Sequence, residues 1–77
     1  MTTSHEEYAQ SQLEKIIERT AELRRENYLS QKQVCEILGL SSHGNITMIE
    51  QGKTIPRVDR LLKILSVYGY TLEIVKK

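Results

Sequence analysis

Apolar positions recur at three- and four-residue steps through the first third of the chain. Leu13, Ile16, Ile17, Thr20 and Leu23 fall on one helical face, with Glu, Lys and Arg filling the other. The pattern predicts a long amphipathic helix from about Tyr8 to Glu26, closed by Asn27 and Tyr28. Residues 1–7 are polar and aperiodic and read as a flexible start, although Ser4 ahead of acidic residues offers a cap to an earlier turn.

Three shorter helices are expected next. Ser30 is a good N-cap, and Gln33 stands where a capping-box side chain reaches back, so a helix over Gln31–Leu38 is predicted with Val34, Cys35 and Leu38 inward. Gly39 can take the left-handed conformation that stops it. A further helix begins near Ser42 and turns Ile46 and Ile49 inward until Gly52. Pro56 separates it from a fourth, expected to bury Val58, Leu61, Leu62, Leu65 and Tyr68 and to end at Gly69. The last stretch, Tyr70-Thr71-Leu72-Glu73-Ile74-Val75, alternates apolar and polar, which is a strand period.

That strand has no strand partner elsewhere in the sequence, and an unpaired edge leaves a row of amides and carbonyls unsatisfied. Pairing with its copy in a second subunit resolves this. An antiparallel ribbon is therefore expected, with Tyr70, Leu72 and Ile74 covering the helical core of a homodimer; the alternative is a frayed tail.

Composition narrows the picture further. Seventy-seven residues support one core. With no Trp or Phe, that core must be aliphatic. The single cysteine, Cys35, cannot form an internal disulfide, and with His5 and His43 it makes no zinc set, so neither metal nor cofactor is expected. No run approaches the roughly 18 apolar residues of a membrane span, and the N-terminus lacks a signal pattern, so a cytoplasmic protein with no membrane partner is expected. The net charge of +1 is uneven: residues 1–26 hold six acids against four bases, and residues 27–77 hold seven bases against four acids. No Ser, His and Asp set, paired carboxylates or glycine-rich phosphate loop points to an enzyme.

The segment LSQKQVCEILGLSSHGNITMIEQGK, Leu29 to Lys53, resembles the helix-turn-helix of the Cro/phage-repressor (XRE) superfamily. The likeness rests on the LSQ start, small Cys35 where the family usually has Ala, the LGLS turn, the ITMIEQGK helix end, Pro56 and the LLKIL helix. With flanking helices it covers roughly residues 13–69. It implies an all-α, four- to five-helix lambda-repressor-like domain, here followed by the dimerisation strand at 70–77. It also implies a third helix lying in the major groove of double-stranded operator DNA. Gln31 then matches a position that touches phosphate or a base edge, and Ser42, His43, Asn45, Thr47 and Met48 form the reading face. Gln51 and Lys53 approach the DNA backbone, and Arg57 and Lys63 are further phosphate candidates. Arg24 matches a position that commonly pairs with the glutamate of the third helix, here Glu50. The chain departs from the family by one extra residue between Gly39 and Ile46, which blurs the register from Ser42 to Asn45.

Within the superfamily, the short chain and the YGYTLEIV end look most like HipB-type antitoxin repressors. That likeness implies autoregulation of a toxin operon from a pseudo-palindromic site and binding of a partner toxin. A restriction-modification controller or phage-type repressor, or a protein-interaction module without DNA binding, remains open on the sequence.

Overall fold

The computed structural model describes residues 4–41 and 44–76. Four helices follow in order: α1 (His5–Glu26), α2 (Gln31–Leu38), α3 (Gly44–Glu50) and α4 (Val58–Val67). α1 starts three residues before the periodic stretch does, because its cap lies upstream. The Ser4 hydroxyl accepts from the Glu7 amide at 3.0 Å, and the Glu7 carboxylate accepts from the Ser4 amide at 3.4 Å. This reciprocal box satisfies amides that the first turn otherwise orphans. Ser30 and Gln33 repeat the device on α2, at 3.0 and 2.7 Å.

The ends are set by backbone conformation. Gly39 takes φ 71°, ψ 29°, which lets the Leu40 amide reach back to the Cys35 carbonyl at 2.9 Å and turns the chain toward α3. No atom lies within 4 Å of the position a Cβ would occupy there, so backbone geometry alone favours glycine. α1 ends differently. The Asn27 side-chain amide donates to the Leu23 carbonyl at 2.8 Å, and Tyr28 carries the left-handed turn at φ 57° with its ring in solvent.

Ile17, Leu23, Val34, Cys35, Ile46, Ile49, Leu61, Ile64, Leu65 and Tyr68 form one core, fringed by Leu13, Ile16, Leu29, Leu38, Leu40 and Val67. α1 packs on α3, and α2 packs on both α3 and α4. Each fully buried aliphatic side chain contributes about 1.5–3 kcal/mol. Thr20 is buried among them because its hydroxyl donates to the Ile16 carbonyl at 2.7 Å.

One expectation is corrected. Val58 and Leu62 face solvent, and Ile64, absent from the predicted stripe, is almost wholly buried. The fourth helix presents positions 61, 64, 65 and 68 to the core, whereas 62 lies on its flank and 58 sits in the first turn, beyond the core's edge. The four helices among the described residues fall within the four to five expected. Residues 70–76 have no regular structure in the single chain, where the expected strand partner, a second copy, is not present. Tyr70, Leu72 and Ile74 are exposed there, Ile74 completely, and do not cover the core of the single chain. The segment's start is tied down, with the Tyr70 amide bonded to the Leu65 carbonyl at 3.0 Å and its ring 5.9 Å from the Arg19 guanidinium.

Candidate nucleic-acid interface

α3 has only seven residues, too few to hold a helix in water unaided. Its position therefore comes from contacts. Ile46 and Ile49 anchor it in the core, Asn45 and Met48 face outward, and Thr47 and Glu50 lie half-buried toward α2 and α1. Ser42 and His43, expected at the start of the reading face, lie outside the described residues.

A chain of polar contacts fixes the half-buried side. Arg24 on α1 donates from Nε to Glu50 Oε2 at 2.7 Å and from Nη2 to Glu50 Oε1 at 3.1 Å, a bidentate pair with both side chains largely out of solvent. Its Nη1 donates to the Leu29 carbonyl at 2.8 Å, so one planar group joins α1, the loop before α2, and α3. Hydrogen bonding to Glu50 raises the Arg24 pKa above its ordinary value despite burial, and the charge is permanent. From Glu50 the chain continues outward. Gln31 Nε2 donates to Glu50 Oε1 at 2.8 Å, and the Thr47 hydroxyl donates to Gln31 Oε1 at 2.6 Å.

Sequence reasoning treated Gln31 and Thr47 as independent outward residues, and Arg24 and Glu50 as a separate pair. The structure brings all four into one connected set. Gln51 and Lys53 are exposed just past α3, where the Lys53 amide bonds the Met48 carbonyl at 3.0 Å.

Beside Asn45 a recess of about 380 Å³ is lined by Arg57, Arg60 and Lys63, together with Ile49, Thr54, Ile55, Pro56 and Asp59. Arg60 was missed in the sequence because nothing in its spacing marks it; only the approach of α4 to α3 brings it there. Arg57 leans on Asp59 at 3.4 Å, an exposed pair that contributes little to stability. The neighbouring cleft differs in sign: it lies between α1 and the loop after α3, shares Thr54 and Ile55 with that recess, and is lined by Glu14, Glu18 and Glu50, with no base. The bases beside Asn45 suit a polyanion, and the acids of the adjoining cleft do not. Among the described residues no His, Cys, Asp and Glu side chains gather into a metal site, and no helix is long and apolar enough to cross a membrane.

A short helix anchored behind a second, exposed on one side and bordered by bases, is a helix-turn-helix arrangement. The sequence profile of the helix-turn-helix family matches residues 21–75, and the chain belongs to that family, in its XRE-type branch. It is similar to the HTH-type transcriptional regulator PuuR of Escherichia coli (strain K12) and to PuuR of Shigella flexneri, 43% identical to each over 54 residues. The match covers 70% of this chain and 29% of those regulators, so the chain spans under a third of their length. No solved structure matches it.

Proposed function

We infer that this chain is a DNA-binding transcriptional regulator, acting as a repressor that grips a pseudo-palindromic operator as a homodimer. The observation that carries this reading is the α3 face. Asn45 and Met48 are exposed on a helix locked from behind by Arg24 and Glu50, and Arg57, Arg60 and Lys63 stand beside it where phosphates would run. Asn45 is suited to adenine through paired donor and acceptor, and Met48 to a thymine methyl. Gln31, Thr47, Gln51 and Lys53 complete the contact set. The second subunit is recruited through residues 70–77, whose exposed Tyr70, Leu72 and Ile74 and alternating pattern suit an antiparallel ribbon. Two α3 helices then enter successive major grooves about 34 Å apart.

The YGYTLEIV end, with its likeness to HipB-type antitoxins, supports a toxin protein as the further partner of this dimer. The experiment is fluorescence anisotropy with DNA from upstream of the gene and scrambled DNA, across a salt series. The expected gap in affinity is roughly a thousandfold, eroded by Asn45→Ala or Met48→Ala. Ile74→Glu should convert the dimer to monomer in light scattering and weaken operator binding. Equal, weak binding of both DNAs would overturn the repressor reading.

A further inference from the structure

We propose that two copies of this chain meet in a single register, with Leu72 opposite the partner's Leu72 and Tyr70 opposite the partner's Ile74. The inference deepens the dimer reading and rests on residues 70–77 joining two copies; it does not depend on which bases α3 reads.

Successive residues of an extended chain point to opposite faces, so Tyr70, Leu72 and Ile74 share one face and Thr71 and Glu73 the other. Tyr70 sets which face lies toward the helices. Its amide is bonded to the Leu65 carbonyl at 3.0 Å, and its ring lies 5.9 Å from the Arg19 guanidinium, which Glu22 and Glu26 hold at 3.2 and 3.0 Å. Along that face the cover runs out: Leu72 is 37% exposed, and Ile74 stands wholly in solvent.

Directly opposite residues of an antiparallel pair project from the same face. A two-fold ribbon that keeps the three apolar side chains together must then set one residue against its own copy, and Thr71, Leu72, Glu73 and Ile74 are the candidates. Centred on Thr71, the ribbon leaves Ile74 opposite Tyr68, which caps α4 and is buried. Centred on Glu73, it sets Glu73 against Glu73, a like-charge pair that destabilises a ladder, and brings Lys76 to Tyr70 beside Arg19. Centred on Ile74, it puts Leu72 opposite Lys76 and Glu73 opposite Val75, matching apolar with charged.

Centred on Leu72, the ribbon gives Tyr70, Leu72 and Ile74 apolar partners, and Thr71 meets Glu73. The partner's Ile74 then arrives beside the Tyr70 ring that Arg19 steadies, so each copy covers what the other leaves bare. A slip of two residues would carry one domain about 6.8 Å past the other. The register therefore sets the separation of the two α3 helices.

The test is oxidative cross-linking of the full chain carrying one added cysteine at a time. Opposite residues have Cα atoms about 4.5–5.5 Å apart, inside the roughly 4.4–6.8 Å that a disulfide spans. A residue offset from its own copy by two positions is about 8 Å away. Leu72→Cys should form covalent dimers at least about tenfold faster than Thr71→Cys or Glu73→Cys alone, and refolding those two variants together should restore the fast rate. Cys35, only 3% exposed, stays in place, and the wild-type chain gives its background. The mixed experiment keeps Leu72 and so decides the register even where Leu72→Cys loosens the dimer.

Fastest cross-linking in Thr71→Cys or Glu73→Cys alone, or a mixture no faster than its parts, would overturn the register. Light scattering on the wild type separates the two levels. A dimer with another cross-linking pattern removes the register and keeps the dimer reading, whereas a monomer removes both. Oxidised Leu72→Cys should also keep the operator affinity of its reduced form. A loss of about tenfold on oxidation would mean that the bond had trapped a slipped dimer, its α3 helices displaced by roughly 6.8 Å, and would equally overturn the register.

Discussion

Arg24 uses its guanidinium as a three-way joint, and the cost of losing it follows from what it leaves behind. Arg24→Ala strands the Glu50 carboxylate with only Gln31 to satisfy it, in a site where Glu50 keeps 9% of its side-chain exposure. Breaking a buried pair in this way costs about 3 kcal/mol, which for a domain of this size lowers the melting temperature by roughly 12 °C or more. The double replacement Arg24→Met with Glu50→Leu should recover much of that stability, because it removes both desolvated charges and keeps volume. A double variant that melts as low as Arg24→Ala would refute this account; calorimetry of the two is sufficient.

At the scale of elements, the ends are where stability is still to be gained. Tyr28 holds φ 57° with its ring 93% exposed, so the side chain gains little in return for a conformation that costs an L-residue about 1–2 kcal/mol. Tyr28→Gly relieves that strain but loosens the unfolded chain by about 0.5–1 kcal/mol. The net should be a gain of about 0.5–1 kcal/mol, read as a higher urea midpoint at unchanged slope. Helix ends were also the most legible part of the sequence wherever side chains make them. The Ser30 and Gln33 box and the Gly39 stop can be read directly, and Ser4 with Glu7 has the same spacing. Interior faces of α1 to α3 followed from periodicity. Leu62 and Ile64 did not, because ten residues of mostly aliphatic sequence fit a helical stripe in more than one rotation, and only the neighbouring α2 selects one. The contacts from Gln31 to Thr47 and Glu50 lie 16 and 19 residues apart. No local pattern encodes them, and neither does one encode the approach of Arg60 to Asn45. The alternation from Tyr70 to Val75 is plain in the sequence, but a strand also needs a partner, which one chain cannot supply.

For the whole molecule, Tyr68 ties the core to pH. The ring is buried, and its hydroxyl finds no hydrogen-bond partner among the described residues. Burial first, then the nearby Glu50 charge, pushes its pKa up to about 12. A phenol whose folded value is raised contributes stability that is complete below the unfolded value near 10. That contribution falls as pH climbs from there toward 12, since only the unfolded chain ionises readily. Tyr68→Phe should remove this alkaline loss. At neutral pH it should also add about 1 kcal/mol, because an unsatisfied buried hydroxyl is deleted while the ring packing stays. Melting temperatures of both proteins from pH 7 to 11.5 would check the sign: curves that stay parallel above pH 10 would show that Tyr68 is not the group responsible.

The brevity of α3 has a consequence for how such a regulator diverges. Ile46 and Ile49 are committed to the core, and Thr47 and Glu50 to the polar chain. In a DNA-reading role, Asn45 and Met48 are then positions of the helix with neither commitment, where a codon change alters what is recognised while leaving the fold intact. After a gene duplication, drift at these two sites would let sister regulators part company over their target promoters. Each would keep its scaffold and stop answering to the other's operator.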